Sequence, residues 1–330
     1  MEIKIQELFR TNGWDTKLGF HYSDQETKKW RECDVLSSDT FKTTNSAIGA
    51  PLHNVYVACE CKSLSGFHIL FHHDPKLEKK HWLDMHWCGS EIEIARFTRY
   101  VCDELEITDR NHRKKLRDFL YKRAYEDHPA DRYPRIYLPD ANCVSSSFRE
   151  TNIGNEREGS SSVIWNTIMI LRSQTDDHNA MCQNRPIDLV GQSNDIKLRN
   201  LNEVIDSINF FYNAYLLRYI FFHRVIFVRA NLWNHDIDGN LSPVISTRID
   251  IQNRTHSFFS VDIVSFDHAE IYINNFVHNT RKQATRSVKK LLQLVHKHEW
   301  DTRVRIDELI DIVVNGQRSS TLSRVSKLST

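Results

Sequence analysis

Apolar residues recur along this chain with two different periods, and the shorter one marks its most informative stretch. Val55-Tyr56-Val57-Ala58-Cys59 is an unbroken run of branched, aromatic and small apolar side chains, preceded by Gly49, Pro51 and Asn54 and leading into Glu60-Cys61-Lys62. Such a run predicts a buried strand. Upstream, Trp30 to Leu36 is also rich in strand formers. Past Asp74 the period lengthens. Ile92, Ala95 and Leu105 recur at roughly helical spacing, and a helix capped by Asp109 is predicted to run to Ala124, with Leu116, Phe119 and Leu120 as its apolar stripe.

Residues Pro139 to Ser162 collect Asn, Ser, Gly and charge without a period, which predicts a long surface loop or linker. Val163 to Leu171 is apolar and fits either a strand or a helix. Val204, Ile205, Ile208, Phe211, Tyr215 and Tyr219 predict a long, largely buried helix over Asn202 to Phe222, followed by a strand at Arg224 to Val228. Asp236 to Asn240 is a turn. It faintly resembles a calcium loop but lacks the later glutamate. Val244 to Ile251, Phe258 to Phe266 and Glu270 to Ile273 read as strands, and His278 to His298 as a final basic helix around Val288, Leu291, Leu292 and Val295. A Ser/Thr-rich tail from Ser319 reads as disordered.

Strand geometry sets the candidate chemistry. Successive side chains alternate faces, so Glu60 and Lys62 emerge together while Cys61 points the other way, and Glu32 and Asp34 share a face of the first strand. If the two strands pair as a hairpin, Asp34 and Glu60 approach one another. Two carboxylates held close repel unless a cation lies between them, and hard oxygen ligands suit magnesium or manganese. Such an ion lowers the pKa of bound water and polarises a phosphoryl oxygen, and a neighbouring lysine can orient the attacking water or help deprotonate it. A pair of strand-end surface acids with a salt-bridged lysine is the structural alternative.

These residues resemble the PD-(D/E)xK nucleases, and within them the Mrr-like restriction endonuclease branch. The resemblance spans roughly the first 75 residues. It rests on an opening helix over Ile3 to Thr11 carrying Glu7, on Gly13-Trp14, on a first strand around Lys17 to Tyr22 and a polar turn at Asp24 to Lys29, on Arg31-Glu32-Cys33-Asp34-Val35 as the Arg-Glu-x-Asp strand, and on Cys59-Glu60-Cys61-Lys62 as the Glu-x-Lys strand. Glu-x-Lys also occurs elsewhere, at Glu2 to Lys4 and Glu78 to Lys80, without an apolar strand before it. The resemblance implies that Asp34, Glu60 and the Cys61 carbonyl bind Mg2+ or Mn2+, that Lys62 serves the water, and that Glu7 is an accessory acid. The motif's leading Pro is absent before Asp34, and the Gln-containing helix often found after the Glu-x-Lys strand is not evident. The implied fold is α/β: a restriction endonuclease-like core, a mixed central sheet flanked by helices, with a helical insertion and a C-terminal α+β extension. On this reading residues 1–75 form the catalytic core, completed by 200–235. Residues 76–160 form a mainly helical insertion, and 161–330 hold the second half of the chain. A separate second domain is the alternative to this discontinuous core.

Composition narrows the partners. The chain has 330 residues, 40% of them hydrophobic, which suffices for a sizeable core. Its 44 basic and 43 acidic residues leave a net charge of +1, so any nucleic-acid surface comes from local patches. The final helix supplies the first choice, with Arg281, Lys282, Arg286, Lys289 and Lys290 as phosphate contacts. The helix after Asp109 supplies another, with Arg110, Arg113, Lys114, Lys115, Arg117, Lys122 and Arg123, although a solvated face reads equally well there. Seven irregularly spaced cysteines and no secretory leader indicate a reducing cytoplasm, and the apolar stretch from Ile208 to Phe222 is too short and too interrupted to cross a membrane. His68, His72, His73, His81, His86 and Cys88 match no paired zinc-ligand spacing. The expectation is therefore a metal-dependent endonuclease acting on DNA in preference to RNA, in defence against foreign DNA, as a homodimer or with a partner protein of a defence system. A non-catalytic nucleic-acid-binding or scaffolding subunit that keeps the fold, or an RNA-directed nuclease, stands as the alternative.

Overall fold

The structure is a computed structural model. It describes residues 1–23, 30–42, 52–73, 77, 81–87, 91–104, 106–125, 135–141, 143–152, 155–158, 161–171, 218–236, 238–252, 258–297, 311–312 and 314–316. The fold is α/β, a mixed sheet with helices on its faces. Helix α1 (Glu2–Thr11) leads into a meander of β1 (Asp15–Ser23), β2 (Trp30–Lys42) and β3 (Leu52–His73), each antiparallel to the one before. A short strand β4 (Asp84–Trp87) and helices α2 (Glu91–Glu104) and α3 (Arg110–Tyr125) follow. Then come β5 (Cys143–Asn152), β6 (Asn155–Arg157) and a helix α4 over 163–171. The second half contributes β7 (Arg218–His235), β8 (Leu241–Pro243), β9 (Ser246–Gln252), β10 (Phe258–Ser265) and, after a single 3-10 turn, helix α5 (Ala269–Lys297).

Strands β3 and β7 form the backbone of the sheet. They run parallel from Leu52 opposite Arg218 to His72 opposite His235, with a register shift between Ser63 and His68 where Gly66 takes a φ of +82°. The first half of β3 carries the β2–β1 wing on its other edge, and its second half carries β5. Because β5 pairs β9, β9 pairs β10 and β10 pairs β7, the strands β3, β5, β9, β10 and β7 close into a ring. Buried on both sides, the middles of β3 and β7 can be continuously apolar.

Two cores result. On one face Val35, Val57, Cys59, Val225 and Phe227 pack with Ile5, Leu8 and Phe9 of α1 and with Ile273, Phe276, Val277 and Val288 of α5. On the other, Ala58, Ile226, Val228 and Ile263 pack with Ile164, Ile168 and Leu171 of α4. Helix α4 is anchored by the buried Glu150 carboxylate, which accepts the Val163 and Ile164 backbone N–H groups and the Ser162 hydroxyl. A carboxylate suits the donor-rich end of a helix. Asp109 caps α3 as its sequence suggests, its Oδ1 accepting the Asn111 and His112 amides. Among the described residues no helix is long and apolar enough to cross a membrane.

Several local expectations are corrected. The helix expected over Asn202 to Phe222 falls mostly outside the described residues, but Arg218 to Phe222 belong to β7. The loop expected over Pro139 to Ser162 contains β5, whose Cys143, Val144 and Ser145 are buried. Glu270 to Ile273 is not a strand but the start of α5; Ile271 is 54% exposed while Ala269, Ile273 and Phe276 are buried, which is a helical period. The segment 76–160, expected to be mainly helical, holds α2 and α3 and also contributes β4 and β5, which join the sheet at β7, β3 and β9.

Candidate active site

The β2–β3 hairpin brings the two predicted acids together. Val35 is opposite Cys59, so Asp34 and Glu60 are the next facing positions. The Lys62 ammonium lies 2.6 Å from Glu60 Oε2 and 3.6 Å from Asp34 Oδ2. Both carboxylates are therefore within reach of one cation. Asp34 is held there by the backbone, because its Oδ2 accepts the Cys61 N–H at 2.7 Å. Cys61 points to the opposite core, as strand alternation requires.

The cluster sits on the open side of a one-sided wing. Along β2, Cys33, Val35 and Ser37 are buried while Asp34, Leu36 and Ser38 are half-exposed. The side chain of Glu60 is 3% exposed, whereas those of Asp34 and Lys62 are 21% and 27% exposed. Solvent thus reaches the cluster past Asp34 and Lys62. Opposite Asp34 on β1 stands Gly19, with a φ of +58°, and the Glu32 carboxylate leans over it, 2.8 Å from where a Cβ would be. A side chain at position 19 would collide with that carboxylate and strain the backbone.

Burial works against the charge of Lys62, but Glu60 and then Asp34 more than offset it, and its pKa is raised above the ordinary lysine value. The ammonium stays protonated at neutral pH. The neighbouring thiols are inert for a related reason. Burial, reinforced by the same carboxylates, pushes Cys33 and Cys59 well up and Cys61 to about 12. They act as small apolar side chains rather than nucleophiles.

The donor set fits a hard divalent ion. It consists of oxygens only, with the two carboxylates drawn toward a single positive charge and the Cys61 carbonyl on the intervening residue. Among the described residues no group of three or more His, Cys, Asp or Glu side chains converges on one point. A metal here would take its remaining ligands from backbone and water, as magnesium commonly does.

The other predicted residues are not at this cluster. Glu7 is exposed on α1, and the acid of that helix whose charge bears on Cys61 is Glu2. Arg281, Lys282, Arg286, Lys289 and Lys290 are exposed on α5, which packs on the opposite face of the sheet from Glu60. Arg281 is also engaged, donating to the Asn12 carbonyl at 2.9 Å and lying 3.6 Å from Asp39. A basic residue that shares the cluster's face is Lys17 on β1. It pairs with Leu36, two positions from Asp34 on the same side, and is exposed. The β1–β2 register, unspecified by residue types alone, was needed to find it.

Comparison with protein-family models, with curated proteins and with solved structures returned no match.

Proposed function

We propose that this chain is a metal-dependent endonuclease with a restriction endonuclease-like core, hydrolysing phosphodiester bonds in DNA. The observation that carries the reading is the convergence of Asp34, Glu60 and Lys62 on the open face of a β-hairpin. The parallel pairing of β3 with β7 supports it, since the Glu-x-Lys strand then has the later strand beside it that a discontinuous core requires. Asp34, Glu60 and the Cys61 carbonyl would hold Mg2+ or Mn2+. When bound, such an ion acidifies a water and neutralises charge on the phosphoryl group. Lys62, kept protonated by the two acids, orients the attacking water and offers positive charge to the scissile phosphate. Lys17 extends that charge along the same face toward a neighbouring phosphate. A role in defence against foreign DNA follows from the restriction-like resemblance alone.

The test is cleavage of supercoiled plasmid and labelled oligonucleotides with Mg2+ or Mn2+, with RNA offered in parallel. Expected is cleavage that a chelator abolishes and Glu60→Ala removes. A second reading has its own support: the 2.6 Å Lys62–Glu60 contact is a good structural ion pair as it stands. A non-catalytic nucleic-acid-binding subunit with this fold would bind substrate and cut nothing under any of these conditions.

A further inference from the structure

At the far end of the β3–β7 pair, His72 and His235 stand directly opposite one another. Their Nδ1 atoms are 3.3 Å apart, with ring centroids separated by 5.3 Å and planes inclined at 73°. Two imidazole nitrogens so placed either share one proton or point both lone pairs at a third atom. At 3.3 Å the separation satisfies the second arrangement as well as the first. With metal–nitrogen bonds of about 2.0–2.1 Å, two ligands of a tetrahedral ion lie roughly 3.3–3.4 Å apart.

The surroundings suit an ion. Both histidines are half-buried, so solvent reaches them. The strand positions are fixed by the ladder, and the Ser145 hydroxyl donates to the His72 carbonyl at 2.6 Å. Among the described residues, charged groups act on the pair. Arg149 and Glu158 bear on His72, and Asp236 on His235. The Arg149 guanidinium is itself paired with Glu156 at 2.8 Å. Burial, with Arg149 and His235, lowers the pKa of His72 and keeps it neutral, the form that binds metal.

We propose that His72 and His235 form a two-imidazole site for a divalent transition-metal ion of the zinc or copper class, separate from the oxygen cluster at Asp34 and Glu60. Imidazole nitrogen selects zinc, copper and nickel over magnesium, so the two sites differ in their choice of ion. Two protein ligands leave the other positions to water or to an incoming group. The histidines are 163 residues apart in sequence.

The test uses the untagged, chelator-treated full chain. With one equivalent of Cu2+, electron paramagnetic resonance should show two coordinated nitrogens on the tightest-bound ion, a signal that only a large excess of zinc should compete away. His72→Gln and His235→Gln, each checked for folding by circular dichroism, should lose that signature, and Glu60→Gln should keep it. In the unaltered protein, zinc should also protect His72 and His235, but not the exposed His21, from acylation by diethylpyrocarbonate, read by peptide mass spectrometry. A two-nitrogen signature that survives both histidine variants, or acylation of the pair that zinc leaves unchanged, would overturn the proposal.

Discussion

Asp34 Oδ2 accepts the Cys61 N–H at 2.7 Å, so a side chain of β2 is tied to the backbone of the strand that carries Glu60 and Lys62. The bond fixes one Asp34 oxygen, the same one that lies 3.6 Å from the Lys62 ammonium. Asp34→Asn can keep it, because an amide oxygen still accepts, but it removes the charge. Asp34→Asn should therefore retain wild-type melting while losing at least about 100-fold in metal-dependent cleavage, since even outer-shell partners of a metal cost 10–100-fold. Asp34→Ala should lose both. If Asp34→Asn cleaves normally, the carboxylate is no metal ligand.

Lys62 separates two chemical roles. Its pKa is raised by Glu60 and Asp34 against the effect of burial, so the ammonium stays charged until pH rises past the ordinary lysine range. A lysine acting by its charge tolerates arginine in part; one acting as a base does not. Lys62→Arg should keep a measurable fraction of cleavage. Lys62→Ala should fall by about 100-fold or more, the usual scale of a positioned proton-handling or charge-bearing group. Rate profiles from pH 6 to 9 should lack an inflection that disappears in Lys62→Arg.

The two basic surfaces make distinct predictions for nucleic-acid binding. Lys17 lies on the face of the cluster, whereas Lys282 and Lys289 lie on α5 across the sheet. Lys17→Glu should weaken DNA binding and reduce the slope of log affinity against log salt by about 1. A double change of Lys282 and Lys289 to Glu should leave both nearly unaltered. The reverse pattern would place the DNA on α5, as the helix's basic sequence first suggested.

The hairpin that carries the cluster was legible because its pattern is local. An apolar run bounded by turn residues fixes the faces that bury Val35, Val57 and Cys59 together, which puts Asp34 and Glu60 on one open face, and the observed register sets them opposite each other. Helix α3 was legible for a similar reason, a capping Asp109 ahead of a periodic stripe. Strand β5 was not. Its Cys-Val-Ser-Ser-Ser start has few large apolar residues, and the buried Ser145 is satisfied by the His72 and Ser147 carbonyls rather than by packing. The start of α5 misled because Glu-Ile-Tyr-Ile alternates over four residues, too short a window to separate the two periods. The place of Glu7 relative to the cluster was not legible, because a helix's heading over a sheet depends on its packing partners. The pairing of His72 with His235 depends on a parallel contact between distant strands, which no local signal encodes.

His53 predicts the acid limb of stability. It is fully buried beneath α5, with Nε2 2.9 Å from Ser287 Oγ, and burial lowers its pKa to about 4. The unfolded chain binds that proton near the ordinary histidine value of 6.5, so between roughly pH 6.5 and 4 the unfolded state holds more protons than the folded one. Stability from this residue should be fully present above that window and decline as pH falls through it. His53→Gln should cost about 1 kcal/mol at pH 7.5 through an imperfect hydrogen bond to Ser287. The same variant should lose less stability than wild type on moving to pH 4.5, as read by urea denaturation at both pH values.

The strongest single dependence of the fold should lie at Arg248. Its guanidinium is buried and bonds Asp262 through Nε at 2.7 Å and Nη2 at 2.9 Å, while Tyr272 donates to the same carboxylate at 2.6 Å. His223 completes the cluster at 3.3 Å from Asp262. Burial alone would raise the pKa of Asp262, but Arg248 and then His223 hold it far below the ordinary carboxylate range, so the acid stays ionised while folded. Removing the cation leaves a buried charge with only neutral donors. Arg248→Met should therefore cost about 3–5 kcal/mol. Adding Asp262→Asn should recover part of that loss, because the uncompensated charge goes too. Strictly additive losses in this double-mutant cycle, measured by urea denaturation, would show that the two side chains stabilise the β9–β10–α5 junction independently.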